Sequence, residues 1–173
     1  FQIVSLKEAG IDKEIPEPHE TLKANASEKS KTIFELTGKN CFSEDTGLEV
    51  DALGGEPGVK TARYTDGEPQ YIDNIEKLLY KLKDQDNRRA RFRTVISLII
   101  DGKEFLFDGI CEGTITESRI GEGGFGYDPI FVPDGADRTF GEMTMDEKKQ
   151  FSHRGKALAK LIDWLRMDMT VDS

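Results

Sequence analysis

The hydrophobic positions of residues 72–82 recur with the period of an α-helix. Five of them lie on one helical face, with Glu and Lys side chains filling the other, and they are Ile72, Ile75, Leu78, Leu79 and Leu82. A helix with this pattern buries its apolar stripe and leaves its charged side in water. The pattern predicts an amphipathic helix in the middle of the chain.

Two apolar runs, residues 92–100 and 104–110, are rich in β-branched and aromatic side chains. They are separated by Asp101 and Gly102, a pair that favours the tight turn between two antiparallel strands. The sequence therefore predicts a β-hairpin over residues 92–110.

Helices are also predicted near both ends of the chain. The first covers residues 21–36 and ends at Gly38, since glycine readily adopts the left-handed conformation that closes a helix. Towards the other end, Thr144 to Glu147 resembles a capping box for a short helical turn, and Ser152 is a suitable N-cap for a longer final helix. The buried stripe of the final helix is predicted to be Leu158, Leu161, Ile162 and Leu165.

The composition indicates one acidic domain. The chain has 173 residues and a net charge of −9, from 24 basic and 33 acidic residues, so its overall field repels nucleic acid and anionic membranes. No apolar run approaches the length of a transmembrane helix. The two cysteines, Cys41 and Cys111, are typical of reduced thiols in a cytoplasmic protein. The basic residues Arg88, Arg89 and Arg91 are expected to be exposed.

Four carboxylates lie within eight residues, at Glu44, Asp45, Glu49 and Asp51. Like charges this close together are tolerated when a divalent cation or a dipole compensates them. The chain is predicted to turn at residues 46–47, which would present the first two carboxylates to a ligand. A metal or catalytic role and a plain alternation of charges out of a strand into water are both consistent with this spacing.

A second stretch, residues 123–131, combines glycines with an aromatic and an acidic side chain. Gly123, Gly124 and Gly126 let the backbone approach a flat ligand, with Phe125 available for stacking and Asp128 for hydrogen bonding. An ordinary surface loop would have the same composition. The stretch alone therefore leaves a ligand-binding loop and a simple loop as alternatives.

The segment 148–154 brings basic residues to the start of the final helix. His153 and Arg154 fall in its first turn, where free backbone N–H groups and the positive end of the helix dipole favour a bound anion. A solvated helix face is the alternative.

Taken together and in order, these segments closely resemble the inosine triphosphate pyrophosphatase family. The resemblance covers the chain from Phe1 to Trp164. The segments that bear it are 44–48 (Glu-Asp-Thr-Gly-Leu), 52–59, 61–64, 123–131 and 152–155 (Ser-His-Arg-Gly).

The resemblance implies an enzyme and a fold. Such enzymes are cytosolic homodimers that hydrolyse ITP, dITP and XTP to the monophosphate and pyrophosphate with Mg²⁺, clearing deaminated purines from the nucleotide pool. The implied fold is α/β, with a long mixed twisted central sheet, flanking helices and two lobes around a cleft. We expect residues 1–173 to form this single domain, with the second lobe built on the hairpin 92–110.

The resemblance also implies residue roles on the phosphate side of the site. Asp45 corresponds to the catalytic carboxylate that orients or deprotonates the attacking water. Glu17 and Glu44 are expected to bind Mg²⁺ together with Asp45, and Lys29 to bind phosphate.

On the base side, the resemblance implies that the loop around Phe125, Gly126 and Asp128 binds substrate. Thr46 is expected to contact substrate as well, and the residues around the 6-oxo edge of the base are Lys148, His153 and Arg154. Hypoxanthine and xanthine carry an acceptor oxygen where adenine carries an amino donor. Donor side chains therefore favour the former two bases and leave adenine mispaired.

Two alternatives remain open on the sequence. The family begins with a strand and a Thr/Ser-x-Asn-x-x-Lys loop that this chain does not contain, so we expect either a segment upstream of Phe1 or a truncated chain with weak activity. A catalytically impaired nucleotide-binding or oligomerisation module is therefore one alternative. A related dTTP and UTP pyrophosphatase is the other, although Ser152, His153 and Arg154 and the Phe125 loop suit the purine enzymes better.

Overall fold

Four strands form one antiparallel sheet in the order β1-β2-β3-β4 in the computed structural model, which describes residues 2–171. The strands are β1 (Cys41–Val50), β2 (Arg89–Ile100), β3 (Lys103–Ile115) and β4 (Phe131–Pro133). β2 and β3 are the predicted hairpin, which is confirmed. Asp101 and Gly102 both adopt positive φ, 51° and 79°, as a tight hairpin turn with the right-handed twist requires.

Four α-helices accompany the sheet in the described residues: α1 (Leu22–Thr37), α2 (Asn74–Lys81), α3 (Met145–Lys149) and α4 (His153–Val171). The predicted end of α1 at Gly38 and the predicted N-cap Ser152 are confirmed, and the structure adds Thr21 as the N-cap of α1. Thr21 Oγ1 accepts a hydrogen bond from the N–H of Ala24 at 3.1 Å, and Gly38 ends α1 with φ 65°. Ser152 Oγ accepts from the N–H of Gly155 at 2.9 Å at the start of α4. Short 3₁₀ helices cover Asp51–Leu53, Gly58–Arg63, Asp128–Ile130 and Phe140–Glu142.

Helices pack on opposite faces of the sheet because successive side chains of a strand point to opposite sides. Val95 of β2 packs against Leu22 and Ala26 of α1. Its neighbour Ile96 packs on the other face against Ala157 and Leu161 of α4. The largest core continues on that second face beyond α4, and includes Leu48, Val50, Leu78, Phe92, Ile130, Phe131 and Phe140.

Two hydrophobic residues predicted to be buried are instead exposed. Ile72 is 88% exposed because α2 begins only at Asn74, after the N-cap Asp73, so Ile72 lies outside the helical stripe. Ile162 is 44% exposed, and the buried positions of α4 are Ala157 and Leu161. The small Ala157 lies where α4 packs directly on the sheet. The prediction counted only large apolar residues and therefore missed it.

The predicted turn at residues 46–47 is wrong. Thr46 and Gly47 continue β1 and face Thr94 and Arg93 of β2 in a regular antiparallel register. This strand position is a glycine because the carbonyl group of Gly58 packs directly against it and leaves no room for a Cβ atom. The acidic stretch is therefore a strand whose alternate side chains go to opposite faces.

The expected exposure of the arginine run is wrong for Arg88 and Arg91, whereas the side chain of Arg89 is 42% exposed. Arg88 donates three hydrogen bonds to backbone carbonyl groups, those of Leu82, Ile115 and Thr116. Arg91 of β2 pairs with Glu112 of β3 and with Asp51, the residue directly after β1. These guanidinium groups fasten neighbouring segments rather than forming a solvated charge run.

The predicted α/β class is confirmed, and every strand pairing in the described residues is antiparallel. The hairpin supplies the two middle strands of the sheet. The division of the chain into two lobes of one domain stays a prediction, and Phe1 lies outside the described residues. None of the described helices has both the length and the apolar character needed to cross a membrane.

Candidate active site

A lysine lies between two carboxylates where β1 faces α1. Lys29 Nζ of α1 is 2.8 Å from Glu17 Oε1 and 3.8 Å from Asp45 Oδ1, and it also donates to the backbone carbonyl of Glu44. We call Glu17, Lys29 and Asp45 the carboxylate cluster. The fold thus brings together three residues that the sequence predicted for metal and phosphate binding.

Asn25 is what joins the Glu17 segment to α1. This fully buried side chain accepts the N–H of His19 at 2.9 Å and donates to the His19 carbonyl at 3.3 Å. Two bonds to one backbone position fix the segment just after Glu17 against the first turns of the helix. The sequence reasoning missed this residue, and its signal was a polar amide at a position of α1 that the helical period places inside.

Burial raises the pKa of Asp45 to about 6, and the negative charge of Glu17 adds to the rise. Lys29, the Asn25 side chain and the backbone N–H of Thr46 oppose it by stabilising the ionised form. The Asp45 carboxylate is therefore ionised at neutral pH, yet it is more basic than an ordinary aspartate.

One oxygen of that carboxylate, Asp45 Oδ2, is buried without a hydrogen-bond partner, and no other buried side-chain N or O atom in residues 2–167 shares this condition. A buried, ionised oxygen without a partner normally binds a hydrogen-bond donor or a cation. Hard divalent cations prefer carboxylate oxygens, so Asp45 with Glu17 fits such an ion. The described residues do not by themselves gather three or more His, Cys, Asp or Glu side chains around one point.

The side chain of Glu44 does not join the carboxylate cluster. It points to the opposite face of β1, where Glu44 Oε2 accepts a hydrogen bond from Arg154 Nε at 2.9 Å and Glu44 Oε1 lies 2.8 Å from the same nitrogen. Thr46 points to that same face, and its hydroxyl lies 2.8 Å from the Thr94 hydroxyl. The structure therefore separates Glu44 from the other two residues predicted to bind the metal.

A second group of predicted residues meets at the glycine-rich loop. Asp128 Oδ2 accepts from Lys148 Nζ at 2.6 Å and from the backbone N–H of Phe125 at 3.2 Å. Lys148 Nζ also lies 5.0 Å from the centre of the Phe125 ring, whose side chain is 78% exposed. We call Phe125, Asp128 and Lys148 the loop cluster. It presents an open aromatic face beside an ammonium group.

The loop glycines have a steric reason. A Cβ atom on Gly124 would collide with the Asp128 carboxylate, and the residue has φ 74°, which side chains rarely adopt. Gly126 has φ 58° for the same kind of tight path. The backbone can therefore fold closely around Asp128 and leave the Phe125 ring outside.

His153 lies at the first position of α4, stacked on Phe92 with ring centres 5.2 Å apart and planes 16° apart. Burial lowers the pKa of His153 to about 4, although the charges of Asp128 and Glu44 oppose that change. The imidazole is therefore neutral at physiological pH and has one N–H donor and one acceptor. Its interaction with both carboxylates places it between the loop cluster and the Glu44–Arg154 pair.

A cavity of about 770 Å³ lies elsewhere, beside α2, and includes none of the predicted site residues. Its lining includes Glu76, Tyr80, Arg88 and Arg119. The unsatisfied carboxylate and the exposed aromatic ring, rather than this cavity, mark the candidate active site.

Similarity to known proteins extends over most of the chain. A model of the Ham1 family matches residues 1–164, which is most of the chain. The chain belongs to the Ham1 family. Its predicted resemblance to the inosine triphosphate pyrophosphatases is thereby confirmed.

Relatives of this Ham1-family protein are similar over nearly its whole length. The dITP/XTP pyrophosphatase of Flavobacterium johnsoniae is 47% identical over 94% of this chain and 85% of its own. That of Porphyromonas gingivalis is 48% identical over 95% of this chain and 85% of its own. The solved Ham1 protein of Staphylococcus aureus is 38% identical, with a TM-score of 0.89 over 96% of this chain and 88% of its own.

Proposed function

We propose that this Ham1-family protein is a nucleoside-triphosphate pyrophosphatase that hydrolyses deaminated purine nucleotides, ITP, dITP and XTP, to the monophosphate and pyrophosphate. The observation that carries the proposal is Asp45, a buried, basic carboxylate with one unpartnered oxygen beside a lysine and a second carboxylate. Relatives at 46–48% identity bear the name dITP/XTP pyrophosphatase.

Glu17 and Asp45 are the residues that would hold Mg²⁺. When bound, the ion neutralises phosphate charge and lowers the pKa of a coordinated water. The unpartnered Asp45 oxygen and the position of Glu17, 2.8 Å from the same ammonium, support this pair as ligands. Such an ion also resolves the conflict between a chain of net charge −9 and a polyanionic substrate.

Asp45 takes the proton of the attacking water. A general base works best when its pKa lies near the working pH, and in the metal-free protein burial raises the pKa of Asp45 to about 6. The water oxygen bonds to phosphorus while the bond to the oxygen bridging the α- and β-phosphates breaks, which gives the monophosphate and pyrophosphate. Lys29 supplies positive charge to the phosphates from α1.

The base is recognised on the other side of β1. Phe125 offers its exposed face for stacking, and Lys148 has three N–H donors, of which Asp128 uses one. The neutral imidazole of His153 and the guanidinium of Arg154 add further N–H donors at the start of α4. Donors facing C6 pair with the oxo group of hypoxanthine or xanthine and oppose the amino group of adenine.

Three further features belong to the proposal. The enzyme acts in the cytoplasm, works as a homodimer and binds no nucleic acid. The acidic net charge supports the last point, because a protein with excess negative charge repels the phosphate backbone.

Pyrophosphate release with and without Mg²⁺, measured over a panel of nucleoside triphosphates, tests the proposal. We expect the reaction to require Mg²⁺ and to prefer ITP, dITP and XTP over ATP and GTP. Preference for dTTP or UTP would indicate the related pyrimidine pyrophosphatase instead. Binding of ITP without release of pyrophosphate would indicate a catalytically impaired binding module.

A further inference from the structure

We propose that Glu44 determines base specificity by positioning Arg154, and that its carboxylate is not a metal ligand. This inference rests on the proposed function, because it assigns a role in choosing the base of the same substrate. It changes the role expected for Glu44 from its position beside Asp45.

The alternation of β1 separates the two acidic neighbours. Asp45 faces Val95 in the strand register, on the side where Val95 packs against α1. Glu44 faces Ile96, on the side where Ile96 packs against α4. A metal ion bound to Asp45 and Glu17 on the α1 side is therefore across the strand from the Glu44 carboxylate, beyond the roughly 2 Å reach of a Mg²⁺ ligand.

On the α4 side of β1, Glu44 pairs with the guanidinium group of Arg154, which needs to be oriented. Arg154 is the second residue of α4, and its side chain is 61% exposed, so packing alone does not fix the guanidinium. Glu44 Oε2 accepts a hydrogen bond from Arg154 Nε at 2.9 Å, and Glu44 Oε1 lies 2.8 Å from the same nitrogen. Since a guanidinium carries five N–H donors, a bond through Nε leaves its two NH₂ groups able to serve a base.

The helix that bears Arg154 is itself held firmly. A Cβ atom on Gly109 of β3 would collide with the His153 carbonyl, so the first turn of α4 lies directly on the sheet. Ser152 caps the same turn. The backbone of Arg154 is thus fixed, and Glu44 decides where its head group points. Exposed ion pairs add little to stability, which suits an orienting role.

The test compares Glu44→Ala, Arg154→Ala and the double variant. Each is assayed for the ratio of kcat/KM with ITP to kcat/KM with ATP. Metal affinity is measured separately without substrate, by electron paramagnetic resonance of Mn²⁺. Lys29 contacts only the backbone carbonyl of Glu44, so the alanine variant keeps that contact.

Glu49→Ala is the matched control. Glu49 belongs to the same strand and accepts from Arg93 Nε at 2.9 Å, but on the face opposite to Glu44 and away from α4. Its removal should leave both the nucleotide ratio and Mn²⁺ affinity unchanged. Glu17→Gln is the positive control for the metal measurement and should weaken Mn²⁺ binding.

We expect Glu44→Ala to lower the ITP-to-ATP ratio by about tenfold, the usual effect of one charge-assisted hydrogen bond, with Mn²⁺ affinity unchanged. The ITP-to-ATP ratio of the double variant should be no lower than that of Arg154→Ala, because both changes remove the same oriented guanidinium group. Weaker Mn²⁺ binding by Glu44→Ala, or additive effects in the double variant, would overturn the inference alone. A wild-type protein that releases no pyrophosphate from ITP would refute the proposed function as well.

Discussion

The carboxylate cluster and the loop cluster each place a lysine beside an aspartate, yet they complete the aspartate to different degrees. Asp128 in the loop cluster receives the Lys148 ammonium at 2.6 Å and a backbone N–H at 3.2 Å. Lys29 Nζ stays 3.8 Å from Asp45 Oδ1, because this ammonium group bonds to Glu17 instead. The other oxygen, Asp45 Oδ2, has no hydrogen-bond partner in the described part of the chain.

We propose that this difference separates recognition of the substrate from the chemical step. A buried charge with its partners in place is a fixed part of the framework, and it keeps the Phe125 ring and the Lys148 donors where a base can meet them. A buried charge with an incomplete shell is raised in pKa and ready to accept a proton or a cation. We infer that the protein recognises substrate with the completed aspartate and reacts with the incomplete one.

The largest expected effect comes from removing the incomplete carboxylate. Asp45→Asn should lower kcat for ITP about a thousandfold or more, because the base and a metal ligand are lost together. Calorimetry should show ITP affinity changed only a few-fold. Asp128→Asn, as the comparison, should raise KM more than it lowers kcat. Near-normal turnover by Asp45→Asn would show that the chemistry lies elsewhere.

The two lysines should differ in their contributions to stability. Lys148→Met leaves the buried charge of Asp128 without its main partner, so the free energy of unfolding should fall by about 3 kcal/mol in urea titrations. Lys29→Met should cost less, since Asp45 has a pKa of about 6 and can take up a proton instead. Adding Asp128→Asn to Lys148→Met should restore most of the loss. Equal losses for the two lysine variants would remove the distinction between the clusters.

The pH dependence of stability should report the incomplete aspartate in metal-free protein. Because the folded pKa of Asp45 is about 6 against an ordinary 3.8, the folded state loses the proton less readily than the unfolded chain. The resulting destabilisation is absent below about pH 4, grows as the pH rises to about 6 and is then complete. Asp45→Asn removes it, so its Tm should exceed that of the wild type by about 5 °C at neutral pH.

That Tm difference should shrink towards zero as the pH falls to about 4, which calorimetric scans in EDTA can follow. A difference that stays constant with pH would mean that Asp45 titrates as an ordinary carboxylate. The corresponding Asp128→Asn variant provides the reference scan for the completed aspartate.

The smallest expected effect belongs to the exposed ring of the loop cluster. Phe125→Ala should raise KM for ITP by about tenfold with little change in kcat, because base stacking contributes binding rather than chemistry. Ile72→Ala removes a similarly exposed apolar side chain that is not part of the site, and it should leave KM unchanged. A fall in kcat as large as the rise in KM would give Phe125 a role in the reaction itself.

Much of the fold could be predicted from local patterns. The hairpin, the first helix with its end at Gly38, and the Ser152 cap follow from short-range periodicity and turn chemistry, and all are observed. The exposed Ile72 shows the limit of the same reasoning. A periodic position joins a buried stripe only if the helix extends to it, and the cap at Asp73 decides that.

The sequence named the residues of the candidate site, but it did not predict correctly which of their side chains lie together. Residues 17, 29 and 45 do meet, and so do Phe125, Asp128 and Lys148. Glu44 was assigned by adjacency in sequence, and a turn at residues 46–47 would have made that assignment reasonable. The strand that exists instead sends neighbours to opposite faces, so the side chains of Glu44 and Asp45 do not meet.

The sequence by itself determined the Gly38 and Ser152 caps and the hairpin, because each depends on residues close together in the chain. It also determined the family, through the order of several short motifs, and it supplied the candidate site residues. The tertiary structure alone decided which of those side chains face each other. Glu44 and Arg154 are 110 positions apart, and the unpartnered Asp45 oxygen exists only because α1 and β1 enclose it. Burial and long-range pairing depend on how elements pack, and a local pattern contains no information on that packing.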